Sequence, residues 1–191
     1  MNLKIITAST RPGRKGILVS NWVLEEAKLN QAFQVEHLDL AEINLPFLDE
    51  PHHPRLRNYT KQHTKDWSQK IAGADALVMV TPEYNYGLTA PLKNAIDFLS
   101  AEWAYKAVGI VSYGGLSGGT RATQMLKQVL TTLKMTPVTE SLPIPFFESH
   151  IKQGVFDPGE TLNKGLHGMF HEIIKVDKGL RIIRDLSLIH I

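Results

Sequence analysis

The chain has 191 residues, of which 43% are hydrophobic and 21% charged, and these values are typical of one soluble globular domain. Lys and Arg number 21 against 19 acidic residues, a net charge of +2, so the composition gives no basis for binding nucleic acid or an anionic membrane. The chain has no cysteine, which excludes disulfides, thiolate metal sites and a thiol nucleophile. The N-terminus lacks a signal-peptide pattern and no apolar run is long enough to span a membrane, so we expect a cytoplasmic protein.

Apolar runs rich in β-branched residues alternate with amphipathic stretches along the chain. The runs predict strands at Leu3–Ala8, Gln34–Leu40, Ala76–Thr81 and Ala107–Tyr113, with a weaker fifth around Thr136–Leu142. The stretches predict helices over about 16–30, Tyr59–Ala72, Ala90–Leu99 and Ser117–Leu133, and a last one marked by an apolar stripe from Leu162 to Ile174. Strands that alternate with helices of this length predict a five-stranded parallel sheet in a three-layer α/β sandwich.

We expect one domain over residues 1–185, because no linker, repeat or low-complexity segment divides it. Two proline-rich stretches without periodicity, Leu45–Arg57 and Leu142–Pro158, are predicted to be loops. The last six residues, Leu186–Ile191, read LSLIHI and resemble a translated transposon end. We therefore predict that this tail, 186–191, is not native to the domain.

The segment after the first strand combines hydroxyls, glycines and cations at the start of a helix. Ligands of open parallel sheets bind beyond the carboxyl ends of the strands, and helix N-termini favour anions, so this turn suits a phosphate. The candidate phosphate ligands are Ser9, Arg11, Arg14, Lys15, Gly16 and Ile17. Neither G-x-G-x-x-G nor Gly-Lys-Ser/Thr is present here, which favours a protruding monophosphate such as that of flavin mononucleotide (FMN). An ordinary turn with solvated cations is the alternative.

Two further loops follow the third and fourth strands. The first reads TPEYNYG over residues 81–87, and its candidate ligand residues are Pro82, Glu83, Tyr84, Asn85 and Tyr86. Its backbone could pair with the polar edge of a flavin, and its tyrosines supply flat aromatic area, although they could also simply pack. The other loop reads SYGGLSGGTR over residues 112–121, with candidates Ser112, Tyr113, Gly114 and Gly115. Its four glycines leave room for a planar ligand against the backbone.

The run from Pro82 to Asp97, PEYN followed by P-x-K-N-A-I-D, resembles the NADPH-dependent FMN reductase family of azo- and quinone reductases. The resemblance extends over roughly residues 3–140 and includes Ser9-x-Arg11 and the glycine-rich loop. It implies a flavodoxin-like fold of strand order 2-1-3-4-5, FMN as cofactor, NAD(P)H as co-substrate, and a homodimer or homotetramer. The first loop departs from the commoner family pattern, so it is left open which cation contacts the phosphate.

The resemblance implies an NAD(P)H oxidoreductase. In an enzyme of this family we expect a hydride to pass from nicotinamide to FMN, and two electrons then to pass to a small acceptor such as a quinone, an azo compound or free flavin. This chemistry requires no side-chain acid or base, so we name no catalytic residue. We also predict no metal site, because His52, His53, His63 and Asp49 lie in or near a proline-rich segment where solvated side chains are common. NADH and NADPH are equally compatible with the sequence.

Two other functions fit parts of the pattern. A flavodoxin-type electron carrier would share the cofactor, but such carriers tend to be strongly acidic, unlike this chain. A serine hydrolase would use Ser117 in Gly115-Leu116-Ser117-Gly118-Gly119, which satisfies G-x-S-x-G between a strand and a helix. Its partners would be Asp157 and either His167 or His171. That hypothesis leaves the other two loops unexplained.

Overall fold

Strands and helices alternate along the chain as the hydrophobic pattern predicts. The structure is a computed structural model that describes residues 1–188. Its strands are β1 (Asn2–Thr7), β2 (Gln34–Asp39), β3 (Ala76–Pro82), β4 (Ala107–Tyr113), β5 (Thr136–Pro137), β6 (Leu142–Ile144), β7 (Ile151–Lys152) and β8 (Val155–Phe156). Its helices are α1 (Gly16–Leu29), α2 (Leu40–Ile43), α3 (Gln62–Ala72), α4 (Ala90–Asp97), α5 (Thr120–Thr132) and α6 (Gly159–Leu188). Three 3₁₀ turns cover Pro54–Leu56, Ala101–Trp103 and Phe147–His150.

The main sheet is parallel, with the order β2-β1-β3-β4-β5, so the predicted order is confirmed. In the register, Val78 of β3 lies opposite both Ile5 of β1 and Gly109 of β4. The fifth strand is not continuous as predicted, because two short strands, β5 and β6, both pair with β4. Pro137 and Pro143 have no amide hydrogen, which limits pairing at this edge of the sheet.

Helices cover both faces of the sheet. On one face α1 and α6 bury a cluster that includes Val23, Met169 and Ile173 against β1, β3 and β4. Gly109 permits the close approach of α6, because a Cβ there would lie 2.8 Å from the Ile173 Cδ1 and the Met169 Sδ. All seven residues of β3 and of β4 are buried, as their continuous hydrophobic runs predict.

On the other face, α3, α4 and α5 pack over a cluster that contains two buried tryptophans. Their indole nitrogens donate to the main chain around α4: Trp67 Nε1 to the Ala95 carbonyl at 2.8 Å and Trp103 Nε1 to the Ile96 carbonyl at 3.0 Å. These bonds satisfy the only polar atom of each side chain, so both rings can be buried. The helix α4 that follows the second candidate loop is thereby held firmly to the core.

The long connections differ from the prediction to different degrees. Residues 45–57 are irregular apart from the turn Pro54–Leu56, as predicted, whereas 142–158 contain β6, a 3₁₀ turn and the antiparallel pair β7–β8. Helix α5 begins at Thr120 rather than at Ser117, because Gly118 and Gly119 have φ of 58° and 85° and cannot continue a right-handed helix. Helix α6 runs to Leu188; residues 189–191 lie outside the described part, so the prediction of a foreign tail stays a prediction.

Within residues 1–188, no helix combines the length and the apolar character that a membrane crossing demands.

Candidate functional site

Three loops meet at the carboxyl edge of the sheet, where β1, β3 and β4 end. We call them the first loop (residues 8–15), the second loop (83–89) and the third loop (114–119). They surround a cleft of about 250 Å³. It is lined by Ser9, Arg11, Gly13, Arg14, Lys15, Gly16, Pro82, Glu83, Tyr84, Tyr113, Gly114, Phe147 and Glu148. Most of the site residues predicted from the sequence therefore lie in one place.

Helix α1 begins at this cleft without a side-chain cap. Lys15 occupies the N-cap position with helical backbone angles, and no side chain among the described residues accepts a hydrogen bond from the first turn. The first amides of a helix need an external acceptor, and the helix dipole favours an anion there. The start of α1 can therefore receive a phosphate.

The three cations of the first loop have different partners. The Arg14 guanidinium donates to the Ser9 carbonyl at 2.9 Å and pairs with Asp39, whose side chain is only 2% exposed. Lys15 Nζ lies 3.0 Å from Glu148 Oε2, and both side chains are largely exposed. Arg11 is exposed, and its side chain has no hydrogen-bond or ion-pair partner among the side chains that the structure describes. Arg11 is thus the cation whose charge is available to a ligand.

Hydroxyl and aromatic groups connect the first loop to its neighbours. Ser9 Oγ lies 2.9 Å from the Tyr84 hydroxyl, which links the first loop to the second. Tyr113 is buried at the end of β4, and its ring packs against Phe147 with centroids 4.7 Å apart. Burial raises the pKa of Tyr113 well above its ordinary value, so the phenol is neutral at physiological pH. Tyr113 therefore lines the cleft as a neutral, buried aromatic side chain.

The second loop is a tight turn. The amides and carbonyls of Tyr84 and Gly87 bond to each other at 3.1 and 2.9 Å, and the two residues between them, Asn85 and Tyr86, have φ of 48° and 71°. Two positive φ angles between such a bonded pair are typical of a type I′ turn. The Asn85 amide is left without an acceptor in the described part of the chain.

Glu83 opens the second loop with a carboxylate that is only 6% exposed. It accepts hydrogen bonds from Ser117 Oγ at 3.0 Å, from Arg121 Nε at 2.7 Å and from the Arg121 amide at 3.0 Å. Burial alone would raise the pKa of this carboxyl, but these bonds outweigh burial and hold the pKa below its usual value. Glu83 is therefore ionised and serves as an acceptor for the first turn of α5, which has no cap of its own.

The glycines of the third loop have two different roles. Gly118 and Gly119 have positive φ. A Cβ on Gly118 would lie 2.8 Å from the Pro145 nitrogen, and a Cβ on Gly119 would lie 2.7 Å from the Ser112 Cβ. By contrast, a Cβ on Gly115 would meet nothing within 4 Å. The Gly114 amide donates to the Ile144 carbonyl at 3.3 Å, whereas the Gly115 amide has no acceptor among residues 1–188. Gly118 and Gly119 thus shape the loop, and Gly115 leaves an open, polar surface.

Not every predicted site residue lines the cleft. Ile17, Asn85, Tyr86, Ser112 and Gly115 are not among its lining residues, and Ser112 is buried with its Oγ donating to the Gly118 carbonyl at 2.8 Å. Sequence reasoning missed Gly13, Phe147 and Glu148. The last two follow β6, which ends at the same edge of the sheet as β4. The aromatic and proline-rich composition of residues 142–158 was the one sequence feature that could have indicated that this segment reaches the site.

The hydrolase alternative is wrong, because Ser117 has no histidine partner among the described residues. Ser117 contacts Glu83 and Arg121, His167 Nε2 lies 2.7 Å from Glu26, and Asp157 lies 2.7 Å from Lys152 Nζ. A catalytic triad needs the serine and histidine within hydrogen-bond distance.

The histidines near the proline-rich segment form local contacts. His63 Nε2 lies 2.9 Å from Asp49 Oδ1, and His53 Nδ1 accepts the Arg55 amide at 3.1 Å. Within residues 1–188, no three potential metal ligands of the His, Asp or Glu type come together.

Comparison with known proteins gives a family match. The family model described as NADPH-dependent FMN reductase matches residues 1–149. An NAD(P)H-dependent FMN reductase of Schizosaccharomyces pombe is 44% identical over 166 residues, which are 85% of this chain and 82% of that protein. A quinone reductase of Escherichia coli is 38% identical over 105 residues, 51% of this chain and 54% of that protein.

Solved structures agree on the fold. FerB from Paracoccus denitrificans, described as a flavoenzyme NAD(P)H:acceptor oxidoreductase, superposes with a TM-score of 0.73. The superposition covers 93% of this chain and 97% of that chain at 18% sequence identity.

Proposed function

Because the chain belongs to the NADPH-dependent FMN reductase family, we propose that it is an FMN-dependent oxidoreductase. Its electron donor is NADPH or NADH, and its acceptor is a small molecule such as a quinone, an azo compound or free flavin. The observation that carries this proposal is the uncapped start of α1 beside Arg11, at the same edge of the sheet as the unbonded amides of Asn85 and Gly115. The start of α1 with Arg11 suits the phosphate end of FMN, and the two amides suit the polar edge of its ring.

The residues present fit FMN. The first turn of α1 and Arg11 would hold the 5′-phosphate, since Arg14 and Lys15 already have acidic partners. The amides of Asn85 and Gly115 have no acceptor in the described part of the chain and would be the donors to the flavin ring, and Gly115 would leave room for it. When bound, FMN supplies the capacity to accept a hydride and to release two electrons.

The chain itself contributes binding and orientation. The second loop turns back on itself and is anchored to α5 through Glu83, so its amides are fixed before a ligand arrives. A preorganised set of donors stabilises negative charge at the ring edge without reorganising during the reaction. The electron donor and the acceptor would each have to reach the flavin from the solvent side of this cleft. This chemistry demands no side-chain acid or base, so we name no catalytic residue.

We also propose that the protein is a cytoplasmic homodimer or homotetramer. Exposed apolar side chains lie on several segments near the carboxyl edge of the sheet, and association would cover them. They are Phe47, Tyr86, Leu116 and Phe146. Sedimentation equilibrium at micromolar concentration tests the assembly, with a monomer of 21.4 kDa as the contrary result. Fractionation of the cells that express the protein tests its location.

The experiment that tests the function is an anaerobic titration of the purified, FMN-loaded protein. We expect FMN rather than FAD in the extract of denatured protein, bleaching of the flavin absorbance by one equivalent of NADPH or NADH, and recovery on addition of a benzoquinone. A protein that cannot be loaded with FMN contradicts the proposal. A loaded protein that dithionite reduces but neither nicotinamide does would instead be an electron carrier.

A further inference from the structure

The second and third loops are joined through one buried acidic group. The Glu83 carboxylate accepts from Arg121 Nε at 2.7 Å, from the Arg121 amide at 3.0 Å and from Ser117 Oγ at 3.0 Å. A carboxylate that is 6% exposed must keep such partners, because removing them leaves a charge out of water without compensation. The start of the second loop is therefore attached to α5.

Arg121 extends this attachment to the tip of the second loop. Its guanidinium carbon lies 3.6 Å from the centroid of the Tyr86 ring, and its Nη2 lies 3.0 Å from Ser117 Oγ. A guanidinium over an aromatic face is a favourable contact. One side chain thus touches Glu83 at the start of the second loop, Tyr86 at its tip, and the third loop.

The tip of the second loop needs such support. Asn85 and Tyr86 both have positive φ, and the left-handed conformation is unfavourable for a residue as large as tyrosine. Tyr86 is 67% exposed in the single chain, so burial of its ring within the chain does not hold the turn. In the described part of the chain, the Tyr86 ring is in contact with Arg121 as its cation partner.

We propose that Arg121 is a positioning residue for the cofactor site. Through Glu83 and Tyr86 it fixes the turn that presents the Asn85 amide, and through Ser117 it sets the spacing between the second and third loops. This inference rests on the proposed function only for the identity of the ligand, FMN. Arg121 does not need to touch FMN for this role.

The test compares Arg121→Met with Lys127→Met. Both variants remove one cation from α5, but Lys127 lies further along the helix, and its Nζ donates to Ser141 Oγ at 3.4 Å. In protein without FMN, we expect exchange of the Tyr84 and Gly87 amides, which bond across the turn, to become at least tenfold faster in Arg121→Met and unchanged in Lys127→Met. We expect the Kd for FMN, measured by quenching of flavin fluorescence, to rise at least tenfold in Arg121→Met only.

A double-mutant cycle separates positioning from general destabilisation. In the Glu83→Gln background, Arg121→Met should change the FMN affinity by less than twofold, because the anchor is already lost. Arg121→Lys keeps the positive charge but not the paired nitrogens of the guanidinium. Its affinity for FMN should therefore lie between those of Arg121→Met and the wild type. If Arg121→Met does not fold, Arg121→Lys takes its place in the cycle.

The outcomes for the inference and for the proposed function are distinct. Wild-type exchange rates at Tyr84 and Gly87 in Arg121→Met, or equal effects of Arg121→Met in both backgrounds, overturn the inference. If the wild-type protein binds no FMN, the proposed function fails, and the exchange rates alone then decide whether Arg121 fixes the turn.

Discussion

The hydroxyl of Tyr113 lies directly over the backbone of Gly16. A Cβ built on Gly16 would be 1.7 Å from the Tyr113 hydroxyl oxygen and 2.5 Å from Cζ, so no side chain fits there unless the tyrosine moves. The two residues are buried, one at the start of α1 and the other at the end of β4. The contact therefore fixes the start of α1 relative to the third loop.

Gly16→Ala tests this contact. The added methyl group displaces the Tyr113 ring, and overpacking of this kind costs about 1–3 kcal/mol. We expect that loss in the free energy of unfolding, measured by urea denaturation, together with weaker FMN binding. Gly179→Ala is the control, because Gly179 lies within α6 and a Cβ there meets nothing within 4 Å. It should stabilise the protein by about 0.5–1 kcal/mol; equal losses in both variants would contradict the prediction.

Arg11→Ala and Arg14→Ala should separate cofactor binding from stability. Arg11 has no partner among the side chains that the structure describes, so its removal should weaken FMN binding by about 1.5–3 kcal/mol and leave the denaturation midpoint unchanged. Arg14→Ala leaves the buried Asp39 carboxylate unpaired, which costs about 3–5 kcal/mol of stability. Isothermal titration with FMN and urea denaturation of both variants provide the measurements. The reverse pattern would place the phosphate on Arg14.

The parallel α/β architecture and the position of the site were predictable because their causes are local, whereas the strand order was implied by the family resemblance. Continuous apolar runs such as Val108–Val111 require cover on both faces, and alternation with helices then permits few topologies. The segment Pro82–Asp97 also shows its turn and the following helix in consecutive residues, with Thr89 capping α4 beside Pro91.

The partners within the site were not predictable, because they come from residues distant in sequence. Lys15 meets Glu148 across 133 positions, and Arg14 meets Asp39 across 25, so no spacing rule indicates that these cations are already paired. Glu83 is 38 positions from Arg121. Glycine content likewise could not distinguish Gly115, which is open, from Gly119, where packing against Ser112 requires glycine.

Tyr86→Gly should stabilise the turn of the second loop. Glycine adopts positive φ without strain, and Asn-Gly is the preferred pair for a type I′ turn, so we expect a gain of about 1 kcal/mol in unfolding free energy despite the lost ring contact. Tyr86→Ala is the matched variant, since it removes the same ring but keeps the strain, and it should not gain stability. Thermal denaturation of both variants without FMN decides. A Tyr86→Gly variant no more stable than Tyr86→Ala would show that φ strain is negligible here.

Lys106 is a buried cation at the opposite edge of the sheet. It is 5% exposed, and its Nζ donates to the Ala74 carbonyl. Burial, together with nearby Arg184, lowers the pKa of Lys106 to about 8, although three carboxylates act in the other direction. They are Asp75, Asp177 and Glu102.

This lowered pKa predicts that stability rises with pH in the weakly alkaline range. Between the folded pKa of about 8 and the ordinary value of 10.5, the unfolded chain holds a proton that the folded chain has released. Raising the pH therefore favours the folded state, by up to about 1.4 kcal/mol per pH unit. Urea denaturation between pH 7 and about 9 stays about one pH unit below the ordinary pKa of tyrosine. We expect the unfolding free energy to rise with pH in the wild type and in Lys28→Met, which removes an exposed lysine. In Lys106→Met this rise should be lost. The same slope in Lys106→Met would mean that another group releases the proton.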